Sequence, residues 1–466
     1  MESKASRLVL GLDVGTSSVK AALLDAASGN VVHSQSRETR AAVQSECGPQ
    51  GKEQDVVLIM RTLNDCVSSL PKERLKEVVR IGVSGQMHGV MFWKTNQGCH
   101  WINSGNLRVF EPRDTSYLIT WEDGRCSMDF LASLPQPQSH LSLATGFGCA
   151  TIFWYLKNRP DFLDSYDAAG TIQDYVVAML CGLQRPQMSV HNAASWGYFN
   201  ARSKTWNTDI LHGAGFPVFL LPDVVNAGCV VGKASYEWCG IHQGTEVGVA
   251  LGDFQCSVYS SATESTDAVL NISTSAQLTF SMAEGFQPED RPSPGESVAY
   301  FPYFNDRYLA VAASLNGGNV LASFITMLSD WIAEFGLDIP ASTLYTRVIT
   351  AGLSQHETHL NINPTLFGER HTPDILASVT NIMAAELSLG HVTRALCRGI
   401  VQNLHSMLPS SRLQESGVKR LIGSGSALSR NEVLKQEVEK IFPFPILYGK
   451  DTDSALGAAM VMAKQW

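Results

Sequence analysis

Apolar residues run through 7–12, break at Asp13-Val14-Gly15-Thr16 and resume over 18–24, and a turn at Ala27-Ser28-Gly29-Asn30 leads to a further short strand at 31–33. Strand-length apolar runs separated by Gly, Asn and Ser predict a β-meander. Residues 56–70 then show helical spacing, and 78–83 reads as a buried strand. A comparable order restarts near Asp267, where strands at 268–272 and 277–280 flank a Ser/Thr turn, and helices alternate with strands from Ser314 onwards. The pattern predicts a mixed α/β chain built of two similar halves. Between them a Gly-rich stretch, 221–248, ends in a strand at 247–251, which places the boundary near residue 260 and the halves at 1–260 and 261–466. The polar, Pro-rich segment 287–296 reads as a surface loop.

Composition supports two domains, because 466 residues with 44% apolar content exceed what one core usually holds. With 35 basic and 44 acidic residues, a net charge of -9 and no long run of either sign, neither nucleic acid nor an anionic membrane is expected as a partner. Ten cysteines without a C-x-x-C pair write neither a zinc ribbon nor a thioredoxin motif and fit reduced thiols. The apolar stretch before Asp13 is too short for a signal peptide, and no run approaches a membrane helix. The expectation is a soluble, cytoplasmic protein.

Four segments carry candidate chemistry. Asp13-Val14-Gly15-Thr16-Ser17-Ser18-Val19-Lys20 is a strand, a hydroxyl-rich turn and a strand. Gly15 would let backbone N–H groups approach phosphate oxygens, Thr16 and Ser17 add donors, Lys20 adds positive charge, and Asp13 could hold Mg²⁺, directly or through water. The segment 270–277 repeats the arrangement around Ser273-Thr274-Ser275. Either alone reads best as an ordinary hairpin turn; two of them opening two halves suit a polyphosphate held between lobes. In Gly252-Asp253-Phe254-Gln255 an apolar strand delivers one carboxylate, which reads as a base for a hydroxyl attacking a γ-phosphate or as a helix cap. Gly423-Ser424-Gly425-Ser426, between a strand at 420–422 and a helix at 432–442, suits an adenine or ribose, and Leu428 stands where a dinucleotide fingerprint needs its third Gly. Neither a G-x-x-x-x-G-K-[ST] loop nor an H-R-D signature occurs.

Polyols are bound by carboxylate, amide and guanidinium groups and an aromatic face. Ser84-Gly85-Gln86-Met87-His88-Gly89 and Trp121-Glu122-Asp123-Gly124-Arg125 hold these types together, which raises His88 above a core histidine. Met87, Met91, Trp93 and Trp101 read as packing, and His356-x-x-His359 as a solvated segment because no third metal ligand is recognisable nearby.

Through these motifs, over residues 7–463, the chain resembles the FGGY carbohydrate kinases. The resemblance implies an α/β fold of two actin-like, ribonuclease-H-like lobes, the architecture shared by sugar kinases, Hsp70 and actin, closing on a sugar and ATP with Mg²⁺. It implies that Asp253 is the general base and shares Mg²⁺ with Asp13, and that Gly15, Thr16, Ser17 and Lys20 form one phosphate motif and Ser273, Thr274 and Ser275 the other. It further implies that Gly317, Gly318, Gly423, Ser424, Gly425, Ser426 and Asn431 line the nucleotide. Gln86, Met87, His88, Trp121, Asp123 and Arg125 would bind a ketose, one of seven carbons ahead of a pentulose. Segments 367–370, 394–399 and 455–459 are further landmarks without evident chemistry. The chain departs from the family pattern at Ser273, Ala276 and Ser424, where Gly is frequent, and at Thr151, where Lys is common. Two rivals remain: a chaperone-like ATPase on the same fold, which needs no polyol pocket, and a dinucleotide-dependent oxidoreductase resting on 423–429.

Overall fold

The computed structural model describes residues 7–292, 295–449 and 452–464. Ser293 and Pro294 of the expected 287–296 loop lie outside them.

The first half is built on a seven-stranded sheet. Strands β1 (Leu8–Val14), β2 (Ser18–Asp25) and β3 (Val31–Glu38) form the predicted meander, and β4 (Val78–Gly85) lies parallel to β1. The edge is completed by β5 (Val230–Lys233) and β6 (Glu246–Gly248), with β7 (Leu251–Gly252) also on β4. The expected strand at 247–251 is thus two short ones on the same neighbour. They part at Val249 and Ala250, whose backbone bonds leave the ladder: Val249 N donates to Cys229 O at 2.8 Å, and Ala250 O accepts from Asn192 Nδ2 at 3.4 Å.

The second sheet repeats the arrangement with β8 (Asp267–Ile272), β9 (Ala276–Ser281), β10 (Val298–Pro302), β11 (Tyr308–Ser314), β12 (Arg420–Ser424) and β13 (Ile446–Tyr448). Its path β11-β9-β8-β12-β13 matches β3-β2-β1-β4-β6, antiparallel through the first three strands and parallel thereafter. The fold is therefore a duplicated α/β sandwich of two lobes, as expected.

Helix α1 (Val56–Ser68) shows how sequence becomes packing. The Asp55 carboxylate caps it, accepting from Val57 N at 2.7 Å, and Val56, Ile59, Met60, Leu63 and Val67 form one buried stripe. Residues between 90 and 221 build a further core around Phe92, Trp196, Tyr198 and Phe199, which apolar runs alone do not separate from the first lobe. Among the described residues no helix is long and apolar enough to cross a membrane.

The last helix returns to the first sheet. Helix α2 (Asp253–Ser261) and helix α3 (Ser454–Ala463) pack on each other, and α3 lies across β1 and β4. Side-chain-free surfaces make this approach possible: a Cβ on Gly11 would lie 1.8 Å from Ala455 O, one on Gly82 2.4 Å from Ala458 O, and one on Gly457 2.0 Å from Cys256 O. The division at residue 260 therefore does not describe the packing of the chain's last helix, which comes from the second half and covers the first lobe.

Candidate active site

Strand register assembles the site. Val14 pairs with Gly85, and Gly85 with Gly252, so β1, β4 and β7 end at one level of the sheet. Asp13 precedes Val14 and Asp253 follows Gly252, which brings the two carboxylates to the same edge. Lys20 sits opposite Asp13 on β2. Asp253 opens α2, with its Oδ1 accepting from Phe254 N at 2.7 Å. It is the first residue of the helix, and Gly252 occupies the cap position.

Burial and the charge of Asp13 raise the Asp253 carboxyl to about 7, against the opposing pull of backbone N–H groups and Lys20. Burial raises Asp13 to about 6, with Lys20 opposing and Asp453 reinforcing. Two carboxylates that repel each other inside a low-dielectric edge make a site that a cation would stabilise. Among the described residues no group of three His, Cys, Asp or Glu side chains forms a metal cage. Two such carboxylates suit Mg²⁺, which is commonly held by one or two carboxylates, water and phosphate oxygens.

The first hydroxyl turn is closed by Gly15 N donating to Ser18 O at 3.0 Å. It is braced from outside: Gln54 Nε2 donates to Thr16 O at 2.7 Å, Trp121 Nε1 donates to Thr16 Oγ1 at 3.0 Å, and Thr39 Oγ1 donates to Ser17 O at 3.3 Å. Ser17 stays exposed at the tip.

The second turn is assembled in the same way. Asn271 pairs with Ser424, and Ala276 with Ser314, so the turn at 273–275 meets both 425–426 and 317–318. Gly318 N donates to Ser273 O at 2.7 Å, Asn319 N to Thr274 O at 3.0 Å and Ser426 N to Ser273 Oγ at 3.3 Å. A Cβ on Gly317 or Gly318 would come within 2.5 Å of this turn's backbone. None of Ser273, Ala276 and Ser424 has a positive φ, so these departures from glycine carry no backbone strain. Of Gly317, Gly318, Gly423 and Gly425, Gly425 has a positive φ, at 100°, and the others do not.

Several expected ligand-binding residues are placed differently. Asn431 is fully buried, and its Oδ1 caps helix Glu432–Ile441 by accepting from Val433 N at 3.0 Å and Leu434 N at 3.2 Å. Gly423 is buried against the Tyr448 ring. Asp123, 0% exposed, and Arg125 spend their groups on each other: Arg125 Nε donates to Asp123 Oδ1 at 2.7 Å, while Arg125 Nη2 reaches Glu53 Oε1 at 2.6 Å and Nη1 reaches Tyr155 Oη at 2.9 Å. The reason is shared: these polar types suit either a ligand or an internal bond, and burial selects the second. Gln86, 1% exposed, is likewise internal, its Nε2 donating to Gln54 Oε1 at 3.0 Å.

Met87 and Trp121 lie beside the carboxylate edge and the first turn. Met87 Sδ lies against Gly252, next to Asp253. His88 holds a left-handed backbone at φ 71°, stacks on Phe147 with centroids 4.6 Å apart, and places Nδ1 2.9 Å from Ser195 O. Trp121 is exposed beside the first turn. His359 turns away from any metal role, its Nδ1 lying 2.7 Å from Glu386 Oε1.

The motifs did not single out Gln54, Thr39 or Asp453. Gln54 and Thr39 hold the first turn from short, unpatterned segments. Asp453 caps α3 by accepting from Leu456 N at 3.0 Å, and an Asp before a small-residue apolar run is a readable helix start. Only folding back of α3 brings it near Asp13.

The model of the N-terminal domain of the FGGY family of carbohydrate kinases matches residues 8–259. The chain is 63% identical to sedoheptulokinase of Homo sapiens, with 99% of this chain and 98% of that protein covered. Two solved structures share its fold: a xylulose kinase from Rhodospirillum rubrum, at TM-score 0.78 and 18% identity over 98% of this chain and 89% of that one, and a glycerol kinase from Plasmodium falciparum with ADP, at TM-score 0.77 and 19% identity over 99% and 90%.

Proposed function

The chain belongs to the FGGY family of carbohydrate kinases and is a sugar phosphotransferase, and from that premise we propose that it passes the γ-phosphoryl group of ATP to the terminal hydroxyl of sedoheptulose, giving sedoheptulose 7-phosphate. The convergence of Asp253 with Asp13 and Lys20 at one sheet edge carries the mechanism. The choice of ketose rests on the full-length identity to the human protein of that name.

In this proposal Asp253 accepts the proton of the terminal hydroxyl as its oxygen bonds to the γ-phosphorus, and the bond from that phosphorus to the β,γ-bridging oxygen breaks to release ADP. Burial makes Asp253 basic enough to take that proton near neutral pH. Ser17 and the turn at 273–275 cradle the phosphates from opposite lobes, and Lys20 offsets their charge. Asp13 and Asp253 would hold Mg²⁺, partly through water; when bound it offsets phosphate charge. Met87, His88 and Trp121 line the sugar subsite, while Gln86, Asp123 and Arg125 position it through internal bonds. Closure of the lobes excludes water, a competing acceptor. The same proposal places the reaction in the cytoplasm, feeding the pentose phosphate pathway; ten free cysteines support the compartment.

ADP formation from ATP and Mg²⁺ should be measured with sedoheptulose, xylulose, ribulose, fructose and glycerol. The highest kcat/KM is expected for sedoheptulose. A preference for a pentulose or glycerol would overturn the acceptor, and ADP release indifferent to sugar would favour an ATPase on this fold.

A further inference from the structure

The strands that deliver Asp253 do not keep one register. Glu246 and Val247 on β6 pair with Arg80 and Ile81 on β4, whereas Leu251 and Gly252 on β7 pair with Ser84 and Gly85. Four steps from Val247 to Leu251 thus face three from Ile81 to Ser84, which is a bulge of one residue. Without it Gly252 would stand one residue further along β4, about 3.3 Å away, and alternate side chains would turn to the opposite face. Because Gly85 also pairs with Val14, the bulge sets the level of Asp253 against Asp13.

The bulge takes Ala250 O out of the ladder, and a buried side chain meets it. Asn192, 0% exposed, lies on the short helix Val190–Ala194 and donates through Nδ2 to Ala250 O at 3.4 Å and to Asp174 Oδ1 at 3.3 Å. Gln173, equally buried, donates through Nε2 to Gly85 O at 3.1 Å and to Asn192 Oδ1 at 3.5 Å. The orientation of the Asn192 amide follows, since two acceptors face its nitrogen and a donor faces its oxygen. Asp174 is held in turn, its Oδ2 accepting from Thr171 N at 2.9 Å and Thr171 Oγ1 at 2.6 Å. Asn192 and Gln173 therefore tie the bulge before β7 to the end of β4.

We infer that Asn192 is a positioning residue for phosphoryl transfer: by holding Ala250 O it pins the bulge, and the bulge places the Asp253 carboxylate level with Asp13, where it meets the acceptor hydroxyl. Asn192 acts through the backbone three residues ahead of Asp253. A leucine of similar volume fills the same space but offers no donor, which leaves Ala250 O buried without a partner and frees β7 to leave its register. The inference rests on the role proposed above for Asp253.

The test uses the full-length protein and the sugar that wild type turns over fastest, and compares Asn192→Leu, Asn192→Ser and Asp253→Asn with each Asn192 variant combined with Asp253→Asn. A base misplaced by about 1 Å should lower kcat about 100-fold in Asn192→Leu, and about tenfold in Asn192→Ser, which keeps a hydroxyl donor on a shorter arm. The KM values for sugar and ATP should stay within about twofold. In the Asp253→Asn background either Asn192 substitution should lower kcat by no more than about twofold, because the group it positions no longer takes a proton. The serine variants carry the same comparison if the leucine variant does not fold. Full-sized kcat losses in both backgrounds, raised KM values in place of lowered kcat, or wild-type turnover in the Asn192 variants would overturn the inference. Wild-type turnover in Asp253→Asn would instead sink the proposed base, so the two failures are distinguishable.

Discussion

Burial beside Asp13 raises the Asp253 carboxyl to about 7, so the ionised form that accepts a proton is disfavoured in the folded chain. The sign for stability follows from linkage. The unfolded carboxyl titrates near 3.8; the destabilisation is absent below that pH, grows up to about 7 and is complete above it. Asp253→Asn should therefore lower kcat about 100- to 10,000-fold while raising Tm at pH 8, with the gain shrinking toward pH 4. Melting curves at pH 8, 6 and 4.5 beside kinetic assays check both halves, and an Asn variant that melts no higher than wild type at pH 8 contradicts the assigned burden. At this scale the sequence makes Asp13, Asp253 and both hydroxyl turns legible, because each follows an apolar strand at a fixed spacing. It does not separate Asn431, Asp123 and Arg125 from ligand-binding groups. A buried Asn cap and a buried Asp–Arg pair are written with the same letters as a polyol site, and only solvent exposure distinguishes them.

Elements are legible where apolar runs are long. The meander, α1 and the restart near Asp267 were all readable from periodicity, whereas β6 and β7 were fused because the bonds of Val249 and Ala250 to Cys229 and Asn192 leave no mark in a local pattern. The turn after β12 is the most exacting of these connections. Gly425 adopts φ 100°, and a Cβ there would lie 2.3 Å from Ile272 O at the end of β8. Gly425→Ala is expected to destabilise the fold by about 1–3 kcal/mol and to raise the KM for ATP, because the strained turn abuts 273–275. Ser424→Gly should leave both nearly unchanged, since Ser424 carries no strain. Thermal melts with ATP titrations test the pair, and equal effects of the two substitutions would refute the distinction.

Across the whole molecule the decisive contact is the return of α3 to the first sheet. It seats Asp453 near Asp13 and lets Ser84 Oγ donate to Ser454 O at 3.2 Å, joining the end of the chain to the edge that carries Asp13 and Asp253. Gly457→Val would drive a side chain into Cys256 O, which a Cβ already approaches to 2.0 Å, so α3 must shift from α2. The expected result is a loss of about 1–3 kcal/mol in stability together with a lower kcat; unchanged melting and turnover would show that this docking is dispensable. By itself the sequence determined the duplicated α/β architecture and marked the hydroxyl turns and carboxylates to which the proposed chemistry is assigned, since these depend on local periodicity and on residues adjacent in the chain. Tertiary structure alone decided that α3 serves the first lobe and which polar groups are spent internally. Each of those depends on segments far apart in sequence meeting in space, where burial and register determine which groups water can still reach.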